Sequence, residues 1–178
     1  MDTLILVDKN DREIGYEEKE RCHLIPTKLH RAFSIFILNI KGEMLIHKRC
    51  GIKQTWPGFW TNACCSHPRK GESLETATKR RLQEELGFKC DLKYLFPFHY
   101  KTNYDKRYGE NEIDHVFWGT YDGMVKPNEE EIEDWKFMTI EKLLAAIKKH
   151  PERYTPWFKK ALPRVLKHIQ INPDFPLG

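Results

Sequence analysis

Long hydrophobic runs are missing from this sequence. No apolar stretch approaches the ~20 residues that a membrane-spanning helix requires, so no membrane partner is expected. Cysteine is scarce and irregular: the five, at 22, 50, 64, 65 and 90, are odd in number and follow no framework spacing. That excludes a secreted scaffold held by disulfides. "MDTLILVDKN" carries no secretory leader pattern, and a reduced, cytoplasmic setting is the expectation. Dense Lys/Arg runs interleaved with aromatics are also absent. The net charge of +4 is mild, so a nucleic-acid partner is not expected. There is no internal repeat. The only biased segment, "NEEEIED" (128–134), reads as a solvated acidic turn.

What is present is ordinary globular material, with 40% apolar and 31% charged residues. At 178 residues, 1–178 is expected to form a single domain burying roughly 70% of its extended-chain surface. "TLILVD" (3–8), "AFSIFILN" (32–39) and "EMLIHKR" (43–49) read as strands, with "IKGE" as a hairpin turn. "GIKQTWPGFW" reads as a loop. "SLETATKRRLQEELG" (73–87) is the clearest helix, with Ser73 as N-cap, Gly87 as stop, and Leu74, Ala77, Leu82 and Leu86 facing the core. Further strands are expected around 92–100, 112–120 and 135–139, and helices near 141–149 and 152–169. The elements mix without βαβ alternation, which favours an α+β fold with a mixed or antiparallel sheet.

"TNACCSHP" (61–68) raises the question of function. If extended, it projects Cys65 and His67 to one face, and Cys64 to the other with Asn62 and Ser66. Only one thiol can then share a pocket with His67, although two small buried hydrophobes would fit equally well. His23 and His30 lie seven apart in "HLIPTKLH" with Pro26 between them. "GENEIDH" places Glu110 and Glu112 at i and i+2, on one face if extended. These three imidazoles and two carboxylates would suit zinc, manganese or iron(II) if the segments meet, and surface positions if they do not. Lys19, Arg49, Lys53 and Arg81 come from four separate segments and serve solubility or an anion. Arg81 and Glu85, at i and i+4, would form a surface pair in the less favourable order.

"SHPRKGESLETATKRRLQEELGF" (66–88) resembles the Nudix box, a loop–helix signature that holds a divalent cation against a diphosphate. Glu72, Arg80, Leu82, Glu84, Glu85, Gly87 and Phe88 fall on its positions. Ser66 stands where the box has its first glycine, and Arg81 where it has a metal-binding glutamate. The resemblance therefore implies a diphosphate-binding helix with a weakened hydrolytic metal cluster. With "HLIPTKLH", "WPGFWTNACCSHP", "RRLQEELG" and "YGENEIDHVF", the sequence resembles type I isopentenyl diphosphate isomerases from about residue 3 to 168.

That resemblance implies a Nudix-like α+β domain, a mixed sheet flanked by helices. It implies conversion of isopentenyl diphosphate to dimethylallyl diphosphate, and a monomer is expected. Cys65 and Glu112 would be the opposed acid/base groups, with Tyr100 beside Glu112. His23, His30, His67, Glu110 and Glu112 would hold one Mn, Zn or Fe ion, and Glu85 a Mg ion that meets the diphosphate. Lys19, Arg49, Lys53 and Arg81 would clamp the diphosphate. Trp157 would cover a carbocation or merely pack between terminal helices. A Nudix hydrolase acting on a diphosphate is the alternative, and Arg81 speaks against it. A flavin-dependent isomerase is disfavoured, since neither a barrel-length chain nor a glycine-rich nucleotide loop is present.

Overall fold

The computed structural model describes residues 2–170, so both ends of the expected 1–178 domain lie outside the described residues. Nine strands make one mixed sheet whose axis is β3 (His30–Leu38). Its sequence, HRAFSIFIL, has no polar face, and every residue but Arg31 is buried. A strand of that kind is stable only when both sheet faces are covered. One edge of β3 runs parallel to β8 (Gly109–Thr120), from His30↔Glu112 to Leu38↔Thr120. The other edge is shared in turn by three strands. β1 (Thr3–Val7) meets it at His30, β6 (Cys64–Ser66) at Phe33 to Ile35, and β4 (Met44–Arg49) at Leu38. β2 (Glu13–Glu18) extends β1, β7 (Leu92–Asn103) extends β8, and β4 carries β5 (Trp60–Asn62) and β9 (Ile132–Met138).

Alternation along β3 divides the core. Phe33, Ile35 and Ile37 pack with Ala77, Leu82 and Leu86 of α2 (Leu74–Leu86). Phe36 and Leu38 pack with Leu143 of α3 (Ile140–Lys149) and with Phe158 and Val165 of α4 (Pro156–Gln170). Each such fully buried Val, Leu, Ile or Phe side chain contributes ~1.5–3 kcal/mol. α2 starts and stops as its sequence dictates. Ser73 accepts from the Thr76 amide, and Gly87 takes a left-handed φ of 74° while its N–H bonds the Gln83 carbonyl. A Cβ at Gly87 would come within 2.8 Å of the Lys126 backbone.

Two elements have no apolar pattern to announce them. β2, EIGYEE, is a charged edge strand, and α1 (Lys19–His23) is a five-residue helix. The acidic segment 128–134 also differs from expectation. Its turn is confined to the residues before Ile132, which is buried and begins β9. Glu131 is not simply solvated, because Lys53 and Arg81 lie against it.

Candidate active site

A cavity of about 450 Å³ gathers most of the candidate side chains. α1 contributes Lys19 and His23, β6 contributes Cys65, β7 contributes Tyr100, and β8 contributes Glu110 and Glu112. Arg49, Lys53, His67, Arg81 and Trp157 complete that part of the wall. His30 and Glu85 are not in the wall. His30 lies behind it among the imidazoles, and Glu85 is on α2 beneath Arg81.

At one end, His23, His30, His67, Glu110 and Glu112 converge, with one ligand atom of each within 4.8 Å of all the others. His23 and His30 anchor Nδ1 on the Lys19 and Lys28 carbonyls, at 2.7 and 2.8 Å, which turns Nε2 inward. The inward atoms meet oxygen: His23 Nε2 lies 2.9 Å from Glu110, and His30 Nε2 lies 3.3 Å from Glu112. His67 Nε2 lies 2.8 Å from Glu112. His30 Nε2 and Glu110 Oε2 are buried without a directed hydrogen bond. With Nδ1–H committed to a carbonyl, a neutral imidazole presents a lone pair to a carboxylate. Acceptor then faces acceptor, an arrangement that only a proton or a metal ion between them resolves. The donor set, nitrogen and oxygen without thiolate, fits a first-row transition-metal ion.

The charges respond to this crowding. Burial opposes a charge on His23, yet the Glu110 carboxylate prevails and raises it to about 9. Burial pushes His67 down to about 3. Burial also works against the Glu112 carboxylate, but the His30 and His67 imidazoles hold it well below the usual range. Glu110 is raised, by burial and by the neighbouring Glu112 charge. Tyr100, the register partner of Glu112, donates to its Oε2 at 2.5 Å. Burial and that carboxylate keep the phenol protonated.

Strand alternation separates the two cysteines. Cys64 is fully buried on the α2 face, whereas Cys65 lines the cavity with His67. Cys65 Sγ accepts from Trp157 Nε1 at 3.0 Å and donates to Asn62 Oδ1 at 3.0 Å. Burial, with Asp114 adding, raises the thiol to about 12, so it holds its proton. The expectation that Asn62 shares the far side with Cys64 fails. The strand breaks at Ala63, between β5 and β6, and alternation does not carry through. Asn62 therefore reaches the Cys65 sulfur, whereas Ser66, within β6 and opposite Phe33, keeps to the Cys64 face as alternation requires.

At the other end stand the cations. Lys19, Lys53 and Arg81 line the cavity together, and burial with the charges of the other two lowers Lys19. Arg49 is fixed by the Trp56 and Thr55 carbonyls at 3.1 and 2.9 Å and lies 5.4 Å from the centre of the Trp157 ring. Lys53 contacts Glu131. Arg81 contacts Glu85, Glu84 at 2.8 Å and Glu131 at 3.3 Å. The Arg81–Glu85 pair is not on the surface, since the two side chains are 15% and 5% exposed. Nearby, Arg80 grips both oxygens of Glu72, at 2.7 and 2.8 Å, and ties the loop before α2 to the helix.

Sequence reasoning missed Asn62, Thr61, Ser34, Asp114 and Glu131. Asp114 alone had a signal, because it continues the i, i+2 series of Glu110 and Glu112 along β8. It accepts from Ser34 Oγ at 2.7 Å and is buried beside the thiol.

Residues 28–160 match the NUDIX domain. The fold is similar to a MutT protein of Methanosarcina mazei, with TM-score 0.65 at 22% identity over 79% of this chain and 94% of that one. A MutT NUDIX hydrolase of Burkholderia pseudomallei gives TM-score 0.62 at 19% identity, over 77% and 98%. Sequence relatives are nearer. The isopentenyl-diphosphate Delta-isomerase 2 of Photorhabdus laumondii is 46% identical over 89% of each chain. The isopentenyl-diphosphate Delta-isomerase 1 of Aromatoleum aromaticum is 43% identical over 93% of each. With near full-length identity of this order on a NUDIX scaffold, the chain belongs to the isopentenyl-diphosphate Delta-isomerase family.

Proposed function

We propose that this chain isomerises isopentenyl diphosphate to dimethylallyl diphosphate, with Cys65 and Glu112 handling the protons. One observation carries the reading. The Cys65 thiol on β6 and the Glu112 carboxylate on β8 flank β3 and line the same cavity. An unactivated alkene needs a proton donor and a proton acceptor held in place together. Cys65 gives its proton to the terminal alkene carbon. The S–H electrons stay on sulfur, and the π electrons form the new C–H bond. Glu112 then takes a proton from the neighbouring methylene, whose C–H electrons become the new double bond. The tertiary carbocation between these steps must be kept from bulk water. The face of Trp157 suits that task, and a cation–π contact adds ~2 kcal/mol or more in a desolvated site. Tyr100, bonded to Glu112, orients the carboxylate or relays its proton.

His23, His30, His67, Glu110 and Glu112 would hold one Mn, Zn or Fe ion. That ion would supply a fixed positive charge that tunes the acidity of Glu112. Lys19, Arg49, Lys53 and Arg81 bind the diphosphate, and Glu85 would take the accompanying Mg ion. The groups named leave no role for a second subunit, and a monomer with a single catalytic domain is the form proposed. The five free cysteines fit a reducing cytoplasm, and among the described residues no helix is long and apolar enough to cross a membrane. Purified protein given isopentenyl diphosphate and magnesium should form allylic product without free phosphate. Phosphate release without allylic product would move the chain to the hydrolases.

A further inference from the structure

We propose that Asn62 is a positioning residue for Cys65, its amide oxygen fixing where the sulfur sits. The inference rests on the reading of Cys65 as proton donor. Asn62 is fully buried, and a buried amide is costly unless its donors and acceptor are all met. Its NH2 group donates to the Ile35 carbonyl at 3.1 Å and the Cys64 carbonyl at 2.9 Å. Two carbonyls can be served only by the nitrogen, so the amide has a single orientation. Oδ1 is thereby turned to Cys65 Sγ at 3.0 Å and to the Thr61 hydroxyl at 3.1 Å.

An amide oxygen only accepts, so the thiol must be the donor at that contact. Trp157 Nε1 donates to the sulfur from another side at 3.0 Å, while the Ser34 and Thr61 hydroxyls stand further off at 3.7 and 3.8 Å. One bond given and one received hold a side chain that would otherwise sample several rotamers. When the S–H bond breaks and the C–H bond forms, the Trp157 N–H stays on the sulfur. Asn62 Oδ1 keeps the hydrogen bond from Thr61, which in turn meets Thr155 at 2.9 Å. The bland alternative is that Asn62 merely satisfies two carbonyls at the strand break around Ala63.

The two accounts differ at the sulfur, and the infrared S–H stretch reports on it. The difference between wild type and Cys65→Ala isolates one thiol among the five. Wild type should show a hydrogen-bonded band, and a free-thiol frequency there overturns the proposal whatever the variants do. Asn62→Ala should move the band to the free-thiol position. It should lower kcat between about tenfold and a hundredfold, with KM for isopentenyl diphosphate within about twofold. Asn62→Asp keeps an acceptor but loses both donors. It should keep a hydrogen-bonded band even where its melting temperature falls as far as that of Asn62→Ala. Wild-type kcat in Asn62→Ala, or a lowered kcat with an unmoved band, overturns the role. Turnover surviving in Cys65→Ala would instead sink the choice of donor, a failure distinct from these.

Discussion

The two ends of the cavity are filled with charged groups, yet the charges are balanced in different ways. The cations at the Lys53 and Arg81 end already have carboxylates: Glu131 meets both, and Glu84 and Glu85 meet Arg81. At the imidazole end, ring nitrogens crowd against carboxylate oxygens, and buried atoms such as His30 Nε2 and Glu110 Oε2 lack directed partners. As the proposed diphosphate clamp, the first arrangement would have to exchange partners when the anion arrives. The second is a cage that becomes favourable only around a positive charge. Loss of a cage member should therefore be close to all-or-none. Loss of a clamp member should be graded, because four cations share the work.

The largest effect is expected between the two ends. Cys65→Ala should abolish turnover while isopentenyl diphosphate still binds, since neither the cage nor the clamp is touched. Kinetics beside a binding titration check this, and an active Cys65→Ala would remove the proposed donor. Next comes the cage itself. Protein purified without chelator should carry roughly one transition-metal equivalent, as one five-residue site implies. His67→Ala and His23→Ala should each lower that content in elemental analysis. Content unaffected by both changes would mean that the inward lone pairs share protons and nothing else.

A smaller, graded effect belongs to the clamp. Removing one charge-assisted bond to a phosphate costs roughly 1.5–3 kcal/mol, so Arg81→Ala should raise KM or lower the rate tenfold or more on that estimate. It should also lower the melting temperature, because Glu85, only 5% exposed, loses its cation. Arg81→Glu puts a carboxylate among Glu84, Glu85 and Glu131 and against the diphosphate, and should be worse on both counts. Wild-type kinetics in Arg81→Ala would show that the guanidinium serves only those carboxylates.

The same contrast explains what the sequence could reveal. Strand period separated Cys64 from Cys65 and put Glu110 beside Glu112, because both inferences need only a few consecutive residues. α2 was legible for the same reason, down to Ser73 and Gly87. Whether His23, His30 and His67 meet depends on three elements crossing in space, and only the family resemblance suggested it. Glu131 was misread as solvated because its own neighbours are acidic, while its partners Lys53 and Arg81 lie 78 and 50 residues away. Asn62 was assigned to the wrong side by carrying alternation across Ala63, where the backbone leaves the strand. β2 and α1 had no pattern to read, one being a charged edge and the other a single short turn.

Cys64 offers the smallest effect and the sharpest control. It sits next to Cys65 on the same three-residue strand but packs with Ala63, Ala77 and Leu82 beneath the sheet. Burial holds its thiol well above the usual range, so it has no ready thiolate to offer. Cys64→Ala removes one buried sulfur, about the size of a methylene, and should cost ~1 kcal/mol of stability. It leaves the Cys64 carbonyl in place to receive Asn62, so the geometry at Cys65 persists. A slightly lower melting temperature with kcat and KM near wild type is the expected result. If Cys64→Ala were inactive while still folded, the assignment of faces along β6 would be reversed, and with it the identity of the thiol that meets the substrate.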